Sequence, residues 1–82
     1  MNHIKLLLFA TIRDRAGTRS IEMDIPADMT IQKLKEKIGS DYPNLKDSMK
    51  SVLVTIDREY AFDEAVVPNS AEIALFPPVS GG

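Results

Sequence analysis

The last six residues of the chain are the ones whose types suggest chemistry. Positions 77–82 read Pro-Pro-Val-Ser-Gly-Gly, and a glycine pair at two given positions occurs by chance in roughly one chain in 200. Proline fixes φ and cannot continue a strand, so these residues are predicted to leave the fold as an extended arm of about 20 Å. Such an arm would carry the terminal carboxylate of Gly82 into a pocket on another protein. Because glycine has no side chain, the backbone of Gly81 and Gly82 would fit a narrow channel.

Composition limits what the rest of the chain can do. A chain of 82 residues makes one domain with a modest core, which leaves little room for a deep active site of its own. The formal net charge of −2, with lysine and arginine scattered along the sequence, argues against a nucleic-acid partner. The longest apolar run is Leu6 to Ala10, far short of a membrane span. We therefore expect a cytosolic protein that binds no membrane.

The chain lacks the residues that metal sites and cofactor sites require. It has no cysteine, and His3 is its one histidine, which excludes disulfides, thiolate ligands and a cysteine nucleophile. The sequence contains neither Gly-x-x-x-x-Gly-Lys nor Gly-x-Gly-x-x-Gly, the two common nucleotide-binding loops. We expect no metal and no cofactor on this chain, so any ATP that activates the carboxylate would bind to another protein.

Hydrophobic periodicity places the elements that must position the arm. The predicted strands are His3–Ile12, Ser20–Ile25, Ser51–Ile56, a brief edge strand at Val66-Val67, and Ala71–Phe76. Residues 13–18 are predicted to form a hairpin loop, and Asp57-Arg58-Glu59 a turn. Thr30 is a predicted helix cap, with Ile31, Leu34 and Ile38 at helical spacing and Gly39 as the helix end. A short helical turn is predicted around Leu45 and Met49.

This order of elements indicates an α+β fold of the β-grasp, or ubiquitin-like, type. We predict a mixed sheet of four to five strands packed on one main helix. In this architecture the terminal strands can lie side by side in parallel at the centre, and the rich apolar runs of the first and last strands are consistent with such burial. The predicted domain covers residues 1–76, and residues 77–82 form a flexible tail.

Several segments of this sequence resemble the small subunit of molybdopterin synthase, a ubiquitin-like sulfur carrier family. They are Leu8-Phe9-Ala10 leading to Arg13, Gly17, Val54-Thr55-Ile56-Asp57, and the run from Glu72 through Phe76-Pro77-Pro78 to Gly81-Gly82. The turn residues Asp57 and Pro68-Asn69-Ser70-Ala71 depart from that family's usual asparagine and glycine-containing acidic turn.

The resemblance implies that Gly82 is the reactive residue. An adenylyltransferase related to ubiquitin-activating enzymes would adenylate its carboxylate with Mg-ATP, and a sulfurtransferase or cysteine desulfurase would supply the sulfur of a thiocarboxylate. That sulfur would pass to cyclic pyranopterin monophosphate and form the molybdopterin dithiolene. The chain would then be a sulfur-donating, non-catalytic subunit, with the active site on a large subunit, in a heterotetramer of two small and two large subunits.

The same resemblance implies which residues bind the partner: Phe9, Arg13, Phe76, Pro77, Pro78, Val79, Ser80 and Gly81. Other interpretations of the residues stay open. Phe76 is equally well a strand-end core residue, and Arg13 a solvated charge at the end of the first strand. Leu8 and Phe9 point to opposite faces of that strand, so at least one of them should lie in the core, and the other is a candidate interface residue.

Three other functions also fit the sequence. A thiamine-pathway sulfur carrier has the same fold and Gly-Gly end, and a ubiquitin-like modifier would join its terminal carboxylate to a lysine. The third alternative is a β-grasp binding module whose terminus does no chemistry.

Overall fold

The computed structural model describes residues 1–78, which form one mixed sheet with two α-helices. The strands are β1 (Asn2–Leu8), β2 (Ser20–Ile25), β3 (Leu53–Ile56), β4 (Glu59–Tyr60) and β5 (Glu72–Phe76), and the helices are α1 (Ala10–Ala16) and α2 (Ile31–Asp41). The sheet order is β2-β1-β5-β3-β4. β1 and β5 are parallel neighbours, and the other pairs are antiparallel. The predicted β-grasp fold, with its first and last strands paired, is confirmed.

One face of the sheet forms the core. Alternate residues of β1 point into it, and the register pairs Leu6 with Ile73 and Leu8 with Leu75. The apolar stripe of α2, made by Ile31, Leu34 and Ile38, belongs to the same cluster. Each fully buried aliphatic side chain of this kind contributes roughly 1.5–3 kcal/mol. Ile21 and Met23 of β2 pack against this cluster and Val54 of β3 lies within it, so both strands turn one face to the core.

The start of α2 is as predicted, and its end is not. Thr30 caps the helix, since its side chain accepts a hydrogen bond of 3.3 Å from the Lys33 backbone N–H. Gly39 does not end the helix, which continues to Asp41 and stops before Pro43, where a helical conformation of the preceding residue is disfavoured. A Cβ on Gly39 would lie 3.4 Å from Lys46 Cα. The missing side chain therefore lets the next segment pack closely against α2.

The prediction for residues 9–18 is wrong. β1 ends at Leu8, and Ala10–Ala16 is helix where a continued strand and a hairpin loop were expected. Ile12 is buried, so the helix adds an apolar side chain to the core. Gly17 closes α1 with φ +74°, a left-handed conformation that suits glycine.

Two further segments behave differently from the sequence prediction. Val66 makes an isolated antiparallel bridge with Thr30 and not an edge strand, because the β4 hairpin occupies the sheet edge beside β3. The helical turn predicted around Leu45 and Met49 is present as two 3₁₀ helices, Pro43–Leu45 and Ser48–Lys50. In the described part of the chain no helix has the length and apolar character needed to cross a membrane.

Candidate functional site

The sheet face turned away from α2 carries an apolar surface at the end from which the arm departs. Side chains on this face alternate with the core residues, and the register sets Leu7 beside Ala74, Ala74 beside Thr55, and Phe76 beside Leu53. Ala74 and Thr55 are buried by their neighbours, while Leu53 is 39% exposed. The strand pairing thus assembles one surface from three strands.

Phe9 and Phe76 form a stacked aromatic pair at the top of this surface. Their ring centroids lie 4.5 Å apart and the ring planes differ by 10°. The Phe9 N–H donates to the Leu75 carbonyl at 3.3 Å, which extends the β1–β5 pairing far enough to bring the rings together. Phe9 remains 37% exposed and Phe76 is half-buried. An exposed aromatic pair of this kind is suited to anchoring a partner protein.

The stacked pair forms one wall of an open pocket of about 410 Å³ on the same face. The pocket is lined by Leu7, Phe9, Thr55, Arg58, Tyr60, Glu72, Ala74 and Phe76. Tyr60 is 76% exposed, and it reaches this face because the β3–β4 register sets it beside Thr55. We call this apolar, aromatic-rimmed surface the sheet-face surface.

The other end of the same face is charged. The imidazole of His3 lies between two carboxylates, with Nδ1 2.8 Å from Asp24 Oδ1 and Nε2 2.9 Å from Glu22 Oε1. The hydrogen bond to Glu22, followed by that to Asp24, raises the pKa of His3 above 6.5, and the bond from His3 lowers the pKa of Glu22. Lys5 pairs in register with Glu22 and Glu72. The face is therefore divided into a charged half and an apolar half.

The root of the arm rests against α1. Pro77 and Pro78 follow β5 and line a pocket of about 180 Å³ together with Thr11, Ile12, Arg15, Asp47, Ser48 and Ser51. The Arg15 Nη1 donates to Ser48 Oγ at 3.1 Å, which links α1 to the second 3₁₀ helix. The helix that sequence patterns did not reveal therefore supports the point where the chain leaves the sheet.

The structure brings together some of the residues that the sequence singled out. Phe9 and Phe76 are in contact, and Pro77 and Pro78 follow directly. Arg13 lies on α1 and not at the end of β1, and its side chain is exposed, with Nε 3.9 Å from Asp14 Oδ1. In the described part of the chain it lines neither of these two pockets. Val79, Ser80, Gly81 and Gly82 lie outside the described residues, so their roles stay predictions.

Sequence reasoning missed Leu7, Arg58 and Tyr60 as surface residues. An exposed tyrosine directly after a polar turn was the available signal for Tyr60. Its position on the site depends on the pairing of β4 with β3. A two-residue strand is too short to show an alternating pattern.

The structure is that of a ubiquitin-like β-grasp protein whose last strand leads directly into Pro77 and Pro78, and its sequence continues to Gly81-Gly82. The chain belongs to the ThiS family, whose sequence model matches residues 6–82. It is 38% identical over 84 residues to the molybdopterin synthase sulfur carrier subunit of Dictyostelium discoideum, covering 99% of this chain and 98% of that one. The subunit of the same name from Arabidopsis thaliana is 34% identical, over 96% of this chain and 82% of the relative.

Solved structures show the same fold. SAMP1 from Haloferax volcanii superposes with a TM-score of 0.83 at 26% identity, covering 99% of this chain and 100% of that chain. A chain in the protein–protein complex of subunits 1 and 2 of molybdopterin-converting factor from Helicobacter pylori has a TM-score of 0.68 at 16% identity, covering 98% and 99%. This second likeness concerns the fold alone.

Proposed function

We propose that this chain is the sulfur carrier subunit of molybdopterin synthase, with the carboxylate of Gly82 as the group that carries sulfur. The observation that carries this proposal is the extent of the family match, which continues through the arm to residue 82. The relatives named molybdopterin synthase sulfur carrier subunit align over nearly the full length of this chain. The family match and the alignments to these relatives therefore cover both the β-grasp domain and the C-terminal residues.

Loading requires activation, because a carboxylate is a poor electrophile. In the proposed first step a Gly82 carboxylate oxygen attacks the α-phosphorus of Mg-ATP, which forms an acyl adenylate and releases pyrophosphate. A sulfur nucleophile from a sulfurtransferase or cysteine desulfurase then attacks the carbonyl carbon, and AMP leaves. With a cysteine persulfide as the nucleophile the product is an acyl disulfide. A second thiol, such as another cysteine of the donor, then attacks the donor cysteine sulfur, which breaks the S–S bond, releases the thiocarboxylate on Gly82 and leaves the two thiols as a disulfide. The adenylyltransferase supplies the ATP site, and this use of Mg-ATP favours a cytosolic location.

Delivery uses the same arm. The thiocarboxylate sulfur attacks an oxygen-bearing carbon of cyclic pyranopterin monophosphate, and the C–O bond at that carbon breaks, so that the oxygen leaves as water or as a phosphate oxygen. Hydrolysis of the resulting thioester returns the Gly82 carboxylate while the sulfur stays on the pterin. Two such transfers build a dithiolene. The chain acts as a cosubstrate, so the large subunit must orient the reactants and stabilise the developing charge.

The sheet-face surface is suited to hold the large subunit while the arm reacts. Its exposed aromatic side chains, Phe9 and Tyr60, are of the type enriched at the centres of interfaces. Phe76 lies directly before Pro77, so a partner seated on the stacked pair also meets the root of the arm. The Helicobacter pylori complex of subunits 1 and 2 supports a two-subunit arrangement, and we propose two small and two large subunits for this protein.

Deletion of Gly82 tests this function. The deletion variant should retain the wild-type melting temperature and bind the large subunit through the sheet-face surface, yet convert no cyclic pyranopterin monophosphate when activating enzyme, Mg-ATP and sulfur donor are supplied. The full chain in the same mixture is the matched control. Dithiolene formation by the deletion variant would refute the proposal.

A protein-modifier function is the second candidate, favoured by the structural match to SAMP1, a small archaeal modifier. The same activated Gly82 would then be attacked by a lysine amine, which forms an isopeptide bond and releases AMP. High-mass conjugates of the wild type in cells, absent for the Gly82 deletion, would support this function. If the wild type forms no such conjugates and still supports conversion of the pterin precursor, its function is sulfur transfer and not protein modification.

A further inference from the structure

Arg58 occupies a backbone conformation that suits glycine. The turn between β3 and β4 has φ +49° at Asp57 and +74° at Arg58, the signs of a two-residue hairpin turn in which Asn-Gly is the favoured pair. A bulky residue in the left-handed region is strained. The turn would therefore form more readily with glycine at position 58.

Hydrogen bonds within the fold account for the backbone conformation of Asp57 but not for that of Arg58. The Asp57 Oδ1 accepts a hydrogen bond of 3.0 Å from the Glu72 N–H, and the Asp57 N–H donates to the Glu72 carbonyl at 2.9 Å. Aspartate also tolerates this conformation well. Within residues 1–78 the Arg58 side chain makes no hydrogen bond or ion pair that would offset its strain.

The Arg58 side chain lines the pocket of the sheet-face surface, together with Phe9, Tyr60 and Phe76. It is the one cationic residue in that lining, and Glu72 lies in the same lining. A partner carboxylate is repelled by Glu72, so the Arg58 guanidinium is the group on the rim that accepts such a carboxylate.

Strained residues that the fold itself does not require are found preferentially at functional sites. Resting on the proposed function, we propose that Arg58 is a specificity-determining residue of the sheet-face surface, which pairs with an aspartate or glutamate side chain of the large subunit. That carboxylate would lie beside an apolar group seated between Tyr60 and the Phe9–Phe76 pair. An arginine guanidinium matches a carboxylate in two parallel hydrogen bonds, a geometry that lysine cannot reproduce.

Arg58→Gly separates stability from binding because the two effects have opposite signs. Relief of strain, less the added entropy of glycine in the unfolded chain, should raise the melting temperature by about 3–6 °C. Loss of a charge-assisted pair should weaken binding of the large subunit about fivefold to tenfold and reduce its salt dependence. Calorimetric titration at low and high salt, with a thermal melt, measures both. Arg58→Asn, which tolerates the turn without the charge, should weaken binding similarly.

Arg19→Ala is the matched control, since it removes one exposed arginine charge outside the pocket and should leave the affinity within about twofold. Arg58→Lys should bind with intermediate affinity. Wild-type affinity and salt dependence in both Arg58→Gly and Arg58→Asn would overturn the inference. Sulfur transfer by the wild type separately tests the proposed function, so transfer combined with unchanged Arg58→Gly affinity would remove only the role of Arg58.

Discussion

Replacing Phe76 with alanine removes half of the stacked pair that joins the sheet-face surface to the arm. If this ring is an interface anchor, the substitution should weaken binding of the large subunit by about 1–3 kcal/mol. That range corresponds to a roughly fivefold to 150-fold rise in Kd. The carbonyl and N–H groups of the strand remain, so the loss reports on the ring itself.

The loss of folding stability expected in the free protein follows from the burial and stacking of the two rings. Complete burial of a phenylalanine contributes roughly 1.5–3 kcal/mol, and Phe9 keeps 37% of its surface exposed, so truncating it should cost the fold about 1–2 kcal/mol. Stacked aromatic pairs contribute about 0.5–1.5 kcal/mol beyond burial. A double-mutant cycle with Phe9→Ala and Phe76→Ala should show a coupling of that size in urea unfolding.

The binding assay is calorimetric titration of the large subunit with each variant. Tyr42→Ala is the control: Tyr42 is half-buried and packs against the core from the end of α2, away from the sheet-face surface. It should lower stability without changing Kd. If Phe9→Ala and Phe76→Ala lose stability but bind as tightly as the wild type, the stacked pair is ordinary packing and this reasoning is refuted.

Two further predictions concern the fold. Thr30→Ala removes the side-chain cap of α2 and should lower the free energy of unfolding by about 1 kcal/mol in urea titration, whereas Thr30→Ser should retain it; equal stability of all three proteins would show that the cap contributes nothing. The pKa of His3 is raised, so the stability that His3 contributes is fully present below pH 6.5 and is lost as the pH rises through its folded-state pKa. The pKa of Glu22 is lowered, so the same contribution is lost at low pH, where Glu22 becomes protonated. His3→Gln should therefore be less stable than the wild type at about pH 5.5 and equally stable at about pH 9, and a pH-independent difference would contradict the ion pair.

The sequence predicted the elements whose patterns are long and regular. β2 and α2 alternate or repeat over enough residues to identify their inward faces, and Thr30 is a standard cap. The dense apolar runs of β1 and β5 indicated that both strands are buried at the centre. These features are local or compositional, so a single sequence carries them. The parallel pairing of β1 with β5 was expected from the β-grasp architecture.

The elements that the sequence did not reveal lack local signals. Phe9, the residue before α1, makes no side-chain capping bond, and the seven residues of the helix include a single buried position, Ile12. The turn at Asp57-Arg58 was predicted but β4 was not, because Asp57-Arg58 stands in place of the Asn-Gly pair that indicates a hairpin. In both places tertiary packing decides the conformation.

The candidate site was predicted residue by residue and not as a surface. Phe9 and Phe76 were each chosen through family resemblance, but their stacking depends on the register of two strands at opposite ends of the chain. Tyr60 and Arg58 join the site through β4. Arg13 was predicted at the end of the first strand, but β1 ends at Leu8 and Arg13 lies on α1. Its role in partner binding stays a prediction.

Alkylation of the loaded chain tests the central claim most directly. Because the sequence has no cysteine, a thiol-directed alkylating reagent reports a thiocarboxylate without competing side-chain thiols, whereas intact mass would confuse sulfur substitution with methionine oxidation. The protein is incubated with activating enzyme, Mg-ATP and a sulfur source, alkylated, and fragmented in a mass spectrometer. The account predicts the label on Gly82. No label, with an activating enzyme proven on another carrier, would contradict it.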